Sequence, residues 1–120
     1  MTEKSGTDLI EEARRRIKEV TPSEAMRMRE DDLSIVYLDV REPNEWNLGR
    51  IPGAFFIARG NLESRIEATI PREMKIIIYC ARGNRSALAA DTLQQMGYSD
   101  VASMSQGFIG WVDAGGEVEG

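Results

Sequence analysis

Apolar residues near the start of the chain recur at helical spacing. In GTDLIEEARRRIKE, residues 6–19, Leu9, Ile10, Ala13 and Ile17 predict one amphipathic helix whose arginines form a solvated face. TPSE then marks a second helix start, with Thr21 as cap, Pro22 in the first turn and Glu24 closing a capping box. That helix is expected to carry Ala25, Met26 and Met28. The pattern changes at SIVYLDV, 34–40, which reads as a buried strand rich in β-branched residues. Pro43 opens a short helix carrying Trp46, and Gly49 stops it. AFFIA, 54–58, is a short strand, NLESRIEAT a helix, and MKIIIY, 74–79, the most apolar strand of all. SALAADTLQQMGY gives a helix ending at Gly97, DVASM a last strand, and GFIGWVDAGG a closing helix.

Strands that alternate with helices across short turns call for a parallel sheet covered on both faces. The expected fold is α/β, three-layered, with about five mostly parallel strands. Domains cluster at about 100–150 residues, so residues 1–120 are read as one domain. Within it, 1–17 form a helical extension and the core runs from about 18 to 120. Trp46 and Trp111 are expected in the core, because large aromatics usually serve packing.

Charge and composition narrow the partners. The net charge is −5, which disfavours a nucleic-acid backbone. No apolar run approaches the ~20 residues needed to cross a bilayer, so no membrane partner is expected. The first residues are too acidic for a secretion signal, and a cytoplasmic location is expected. The chain has no histidine and one cysteine. Ser-His and Cys-His pairs, internal disulfides and the usual zinc sites therefore cannot be built within it, and no metal or organic cofactor is expected.

The single cysteine sits where chemistry is expected. Ligands of open parallel sheets bind beyond the carboxyl ends of the strands. Cys80 follows the most apolar strand, and CARGNR leads to Ser86, where a helix is expected to begin with that serine as its cap. Loop and first-turn N–H groups, the helix dipole, Arg82 and Arg85 should together favour the thiolate. Gly83 supplies the backbone freedom of a tight cradle. Against this stands the plain alternative that a free cysteine is a small buried hydrophobe.

YCARGNRSALAA resembles the active-site loop of the rhodanese family, sulfurtransferases whose cysteine carries a persulfide. LDVREPNEWNLGRIPGAFFI, 38–57, resembles the family's Asp-x-Arg strand end followed by Glu-Trp and Gly-x-Ile-Pro-Gly-Ala. GFIGWVDAGGEVEG resembles its closing Gly-x-x-x-Trp-x-x-x-Gly. The likeness covers about residues 18–120. It implies Cys80 as nucleophile, with Ala81, Arg82, Gly83, Asn84 and Arg85 forming the substrate-binding loop, and Asp39 and Arg41, near the cleft rim, bracing it. Arg82 is expected at the loop mouth to attract an anionic donor, and Arg85 to brace the loop through backbone or a carboxylate. Two positions depart from the family: Arg50 stands where histidine is usual, and Gln106 where the first of two glycines often stands.

The expected reaction moves sulfane sulfur from a donor such as thiosulfate to cyanide, a small thiol or a protein thiol. Two rivals remain. A cysteine phosphatase uses a similar anion cradle, but tyrosine phosphatases carry Cys-x5-Arg whereas this chain has Cys-x4-Arg, a tighter ring. A non-catalytic binding or sulfur-carrier module could use the same fold.

Overall fold

The computed structural model describes residues 3–120. Helix α1, Gly6–Arg16, precedes strand β1, Lys18–Val20, and helix α2, Pro22–Asp31. Strand β2, Val36–Asp39, is followed by α3, Pro43–Leu48, and by β3, Phe55–Phe56. A 3-10 turn at Arg59–Asn61 leads into α4, Leu62–Thr69. Then come β4, Ile76–Tyr79, α5, Asn84–Gln95, β5, Val101–Met104, and α6, Gly107–Asp113. The five strands form one all-parallel sheet in the order β1-β5-β4-β2-β3.

Strand periodicity divides the core into two layers, since successive side chains point to opposite faces. On one face Val36, Leu38, Ile76 and Ile78 meet Leu62 and Ile66 of α4 and Ala89, Ala90 and Leu93 of α5. On the other, Tyr37, Ile77, Tyr79 and Met104 meet Ala25 of α2 and Trp111 of α6. Strand β4 is central and buried at all four positions, because both of its faces are covered.

Three expectations are corrected. The first helix ends at Arg16, and Lys18–Val20, expected to be helical in part, pairs with Ala102–Met104 as an edge strand. Its two exposed charged residues suit an edge, where side chains face solvent and only one neighbour supplies hydrogen bonds. The arginines of α1 are not simply solvated. Arg16 makes two bonds of 2.9 and 2.8 Å to Asp91, and Arg14 reaches Asn84 at 3.0 Å, so α1 is tied to α5. Trp46 lies outside both core layers: its ring stacks on Phe56 at 5.1 Å while Arg50 covers its other side at 4.6 Å. Helix α3 is too short to bury a stripe of its own, and it has no buried residue. Trp111, by contrast, is fully packed.

The cap of α2 forms as read, with Thr21 and Glu24 exchanging bonds of 2.8 and 3.1 Å. Among the described residues no helix is long and apolar enough to cross a membrane.

Candidate active site

Cys80 is the first residue beyond β4, and the chain turns there into α5. Gly83 makes the turn possible. Its φ of +100° is left-handed, a region in which a side chain would be strained. A Cβ there would also stand 3.3 Å from the Gln106 amide nitrogen. Gly83 therefore caps α5, and the helix begins at Asn84. Ser86 is not the cap: it is the third helical residue, and its side chain turns inward rather than back over the helix end.

That inward turn brings donors onto the thiol. Cys80 Sγ accepts the Gly83 N–H at 3.1 Å and the Ser86 N–H at 3.4 Å, and lies 3.5 Å from Ser86 Oγ. First-turn N–H groups have no acceptor inside their own helix, so they are free to face a negative sulfur. Ser86 Oγ lies 2.8 Å from Ser103 Oγ, and both side chains are fully buried. If Ser103 donates to Ser86, the Ser86 hydroxyl is left to donate to sulfur. Sequence reasoning missed Ser103. Its signal was a hydroxyl in the strand beside β4, in register with Ile78.

Cys80 is only 1% exposed, yet it lines a cavity of about 210 Å³ together with Ala81, Arg82, Asn84 and Arg85. The four loop residues expected at the site are thus brought together around Cys80, with Gly83 beneath them at the turn.

The two loop arginines differ. Arg85 is engaged by Glu45, with bonds of 2.8 and 3.2 Å, so it fastens α5 to α3 instead of pointing freely at a ligand. Arg82 is exposed and has no ion-pair partner among the described residues.

Helix α6 clamps the loop from the far side. Phe108 N–H donates to the Cys80 carbonyl at 2.8 Å, and Ile109 N–H to the Ala81 carbonyl at 3.2 Å. Asp39 and Arg41 lie deeper than expected: they are buried rather than at the rim. Arg41 Nη2 bonds Asp39 Oδ2 at 2.6 Å and the Gly49 carbonyl at 2.7 Å. The guanidinium also covers the Phe108 ring at 4.4 Å. The pair therefore touches the loop through Phe108 and makes no hydrogen bond to it. Nearby, burial pushes the Tyr79 hydroxyl well above its ordinary range, so it remains a neutral group that accepts the Ile51 N–H at 3.2 Å.

The Arg85–Glu45 pair has a pH signature. The hydrogen bond from Arg85 holds the Glu45 carboxyl below its ordinary value of 4.5. A depressed carboxyl stabilises the fold above its unfolded value, and that contribution fades as pH falls through the folded value. Glu45→Gln should therefore destabilise the protein by about 1 kcal/mol or less near neutrality, as partly exposed pairs do. It should also flatten the stability profile below pH 4.5. Denaturant midpoints measured across acid pH check this, and parallel profiles for the two proteins would count against the brace.

Fold and site together define a class: a parallel α/β domain whose central strand delivers a thiol to two backbone N–H donors at a helix start. The sequence profile of the Rhodanese-like domain matches residues 21–114. The chain belongs to the rhodanese-like family.

Relatives sharpen the comparison. The thiosulfate sulfurtransferase GlpE of Pseudomonas paraeruginosa is 33% identical, over 77% of this chain and 81% of its own length. The probable adenylyltransferase/sulfurtransferase MoeZ of Mycobacterium tuberculosis is 30% identical over 77% of this chain, which spans only 24% of that protein. Among solved structures, a protein of unknown function from Rhodopseudomonas palustris, described as a possible tyrosine phosphatase, superposes with a TM-score of 0.89. It is 38% identical, and the match covers 99% of this chain and 97% of that one.

Proposed function

We propose that this protein transfers sulfane sulfur through a persulfide on Cys80. The observation that carries the reading is the pair of amides, Gly83 and Ser86, donating to Sγ. Donors placed where charge gathers stabilise both the attacking thiolate and the sulfur it acquires. The Cys80 thiolate attacks the outer sulfur of thiosulfate, the S–S bond breaks and sulfite leaves. Cyanide or a thiol then attacks the outer sulfur of the persulfide, and Cys80 departs as the thiolate. Ala81, Arg82, Asn84 and Arg85 surround the entering sulfur, with Arg82 supplying a cation that has no ion-pair partner among the described residues. No metal or organic cofactor takes part. Residues 1–120 act as one domain, located in the cytoplasm.

Phosphate-ester hydrolysis is the competing reading, favoured by the likeness to the possible tyrosine phosphatase. Two features weigh against it. The loop has one residue fewer than Cys-x5-Arg, and Arg85 is held by Glu45, away from the role of a phosphate clamp. A mass measurement after incubation with thiosulfate separates the readings. Sulfur transfer requires a gain of one sulfur atom that cyanide removes. No gain, together with hydrolysis of an aryl phosphate, would replace it with the phosphatase reading, and neither activity would leave a binding module.

A further inference from the structure

Gln106 is the single non-glycine residue with a left-handed backbone among the described residues, at φ +63°. Such a conformation costs roughly 1–2 kcal/mol outside glycine. Its neighbourhood is shaped to hold it: a Cβ on Gly110 would come within 2.6 Å of the Gln106 Cβ, so α6 keeps that space clear. The strained residue lines a second cavity of about 330 Å³, together with Arg82, Ile109, Gly110 and Asp113. Arg82 lines the cavity over Cys80 as well, and is the residue the two hollows share.

Three polar groups face this hollow without partners. Arg82, Asp113 and the Gln106 amide make no ion pair or side-chain hydrogen bond among the described residues. One is cationic, one anionic and one neutral with both donors and acceptors. A dianion such as thiosulfate would meet Arg82 but be repelled by Asp113. A zwitterion satisfies both charges.

Resting on the sulfur-transfer reading, we propose that this hollow seats the sulfur acceptor, a small thiol carrying an α-amino carboxylate, of the cysteine class. Arg82 takes the carboxylate, Asp113 the ammonium, and Gln106 bridges the two. Ile109, 40% exposed, covers the methylene. The acceptor enters as its thiolate and attacks the outer sulfur of the protonated persulfide. The S–S bond breaks, Cys80 leaves as the thiolate, and the acceptor departs as R–S–SH. Electrons and protons balance without an oxidant or reductant.

The test uses the full chain loaded with sulfur by thiosulfate, with loading verified by mass, and single-turnover discharge. Cysteine, cysteamine (ammonium only) and 3-mercaptopropionate (carboxylate only) are each referred to cyanide on the same protein. Asp113→Asn should lower the cysteine:cyanide and cysteamine:cyanide ratios by about fivefold, the upper range for a solvent-reached ion pair. It should not lower the 3-mercaptopropionate ratio. Arg82→Gln, with cysteamine on the same protein as the reference because it carries no carboxylate, should lower the cysteine:cysteamine and 3-mercaptopropionate:cysteamine ratios. Gln106→Gly relaxes the backbone instead of straining it, and should lower the cysteine ratio even if a charge variant fails to fold. Ratios that are unchanged, or that fall equally for all three thiols, would overturn the acceptor site and leave sulfur transfer standing. Failure of the wild-type chain to load would overturn both.

Discussion

A Cys80→Ser protein is expected to unfold at the same denaturant concentration as the parent and to lose sulfur transfer by at least about a thousandfold. The fold should survive because the two side chains are close in size. The position is bounded by Gly83 N–H, Ser86 N–H and Ser86 Oγ, all of which a hydroxyl can satisfy. Activity should not survive, because an alcohol stays protonated where a thiol ionises and cannot hold a sulfane sulfur. Thiosulfate:cyanide turnover and mass after thiosulfate treatment give the two readouts. Turnover near the parental rate in a verified sample would remove Cys80 from the chemistry.

Gly107→Ala should do the greatest damage to the fold of the loop. Gly107 has a φ of +56°, and an added Cβ would fall within 2.5 Å of the Cys80 carbonyl oxygen and of Ala81 C and O. These are the backbone groups that α6 binds through Phe108 and Ile109. Neither partner is the end of a flexible side chain, so backbone must shift. Left-handed strain adds about 1 kcal/mol or more to roughly 1–3 kcal/mol for the overlap. A loss of about 2–4 kcal/mol is expected, with turnover falling because the Cys80 carbonyl moves and carries its sulfur away from the amides. Urea midpoints and transfer rates measured together check it. An alanine variant with parental values for both would mean that α6 and the loop can separate at no penalty.

The layering of the fold was legible because β2 and β4 are apolar at nearly every position, which only a sheet with two covered faces requires. Cys80 was legible by its place at the end of such a strand. What escaped was set by partners remote in sequence. Lys18–Val20 carries two charged residues and continues a helical pattern, and it becomes a strand only because β5 offers a free edge. Ser86 suits a cap by type, but Gly83 reaches the left-handed turn first and moves the helix start forward. Asp39 and Arg41 suggested a rim because they follow the apolar run IVYL at a strand end. Their four-way bonding to each other and to the Gly49 carbonyl makes burial tolerable. Gln106 and Arg50 stood out as departures, and the fold shows Arg50 joining α3 to the tail through Trp46 and Glu119.

The attachment of α1 has a bearing on how this chain can be cut and joined. The family profile begins at residue 21, yet β1 lies before that boundary, and so do the fully buried Ala13 and the Arg14 that holds Asn84. A fragment trimmed to the recognisable portion would expose the edge of β5 to pairing with other chains and leave Asn84 untethered. The recognisable motif is thus shorter than the cooperative unit. Fusion junctions and protease sites belong ahead of Ser5, which closes a capping box with Asp8 at the start of α1.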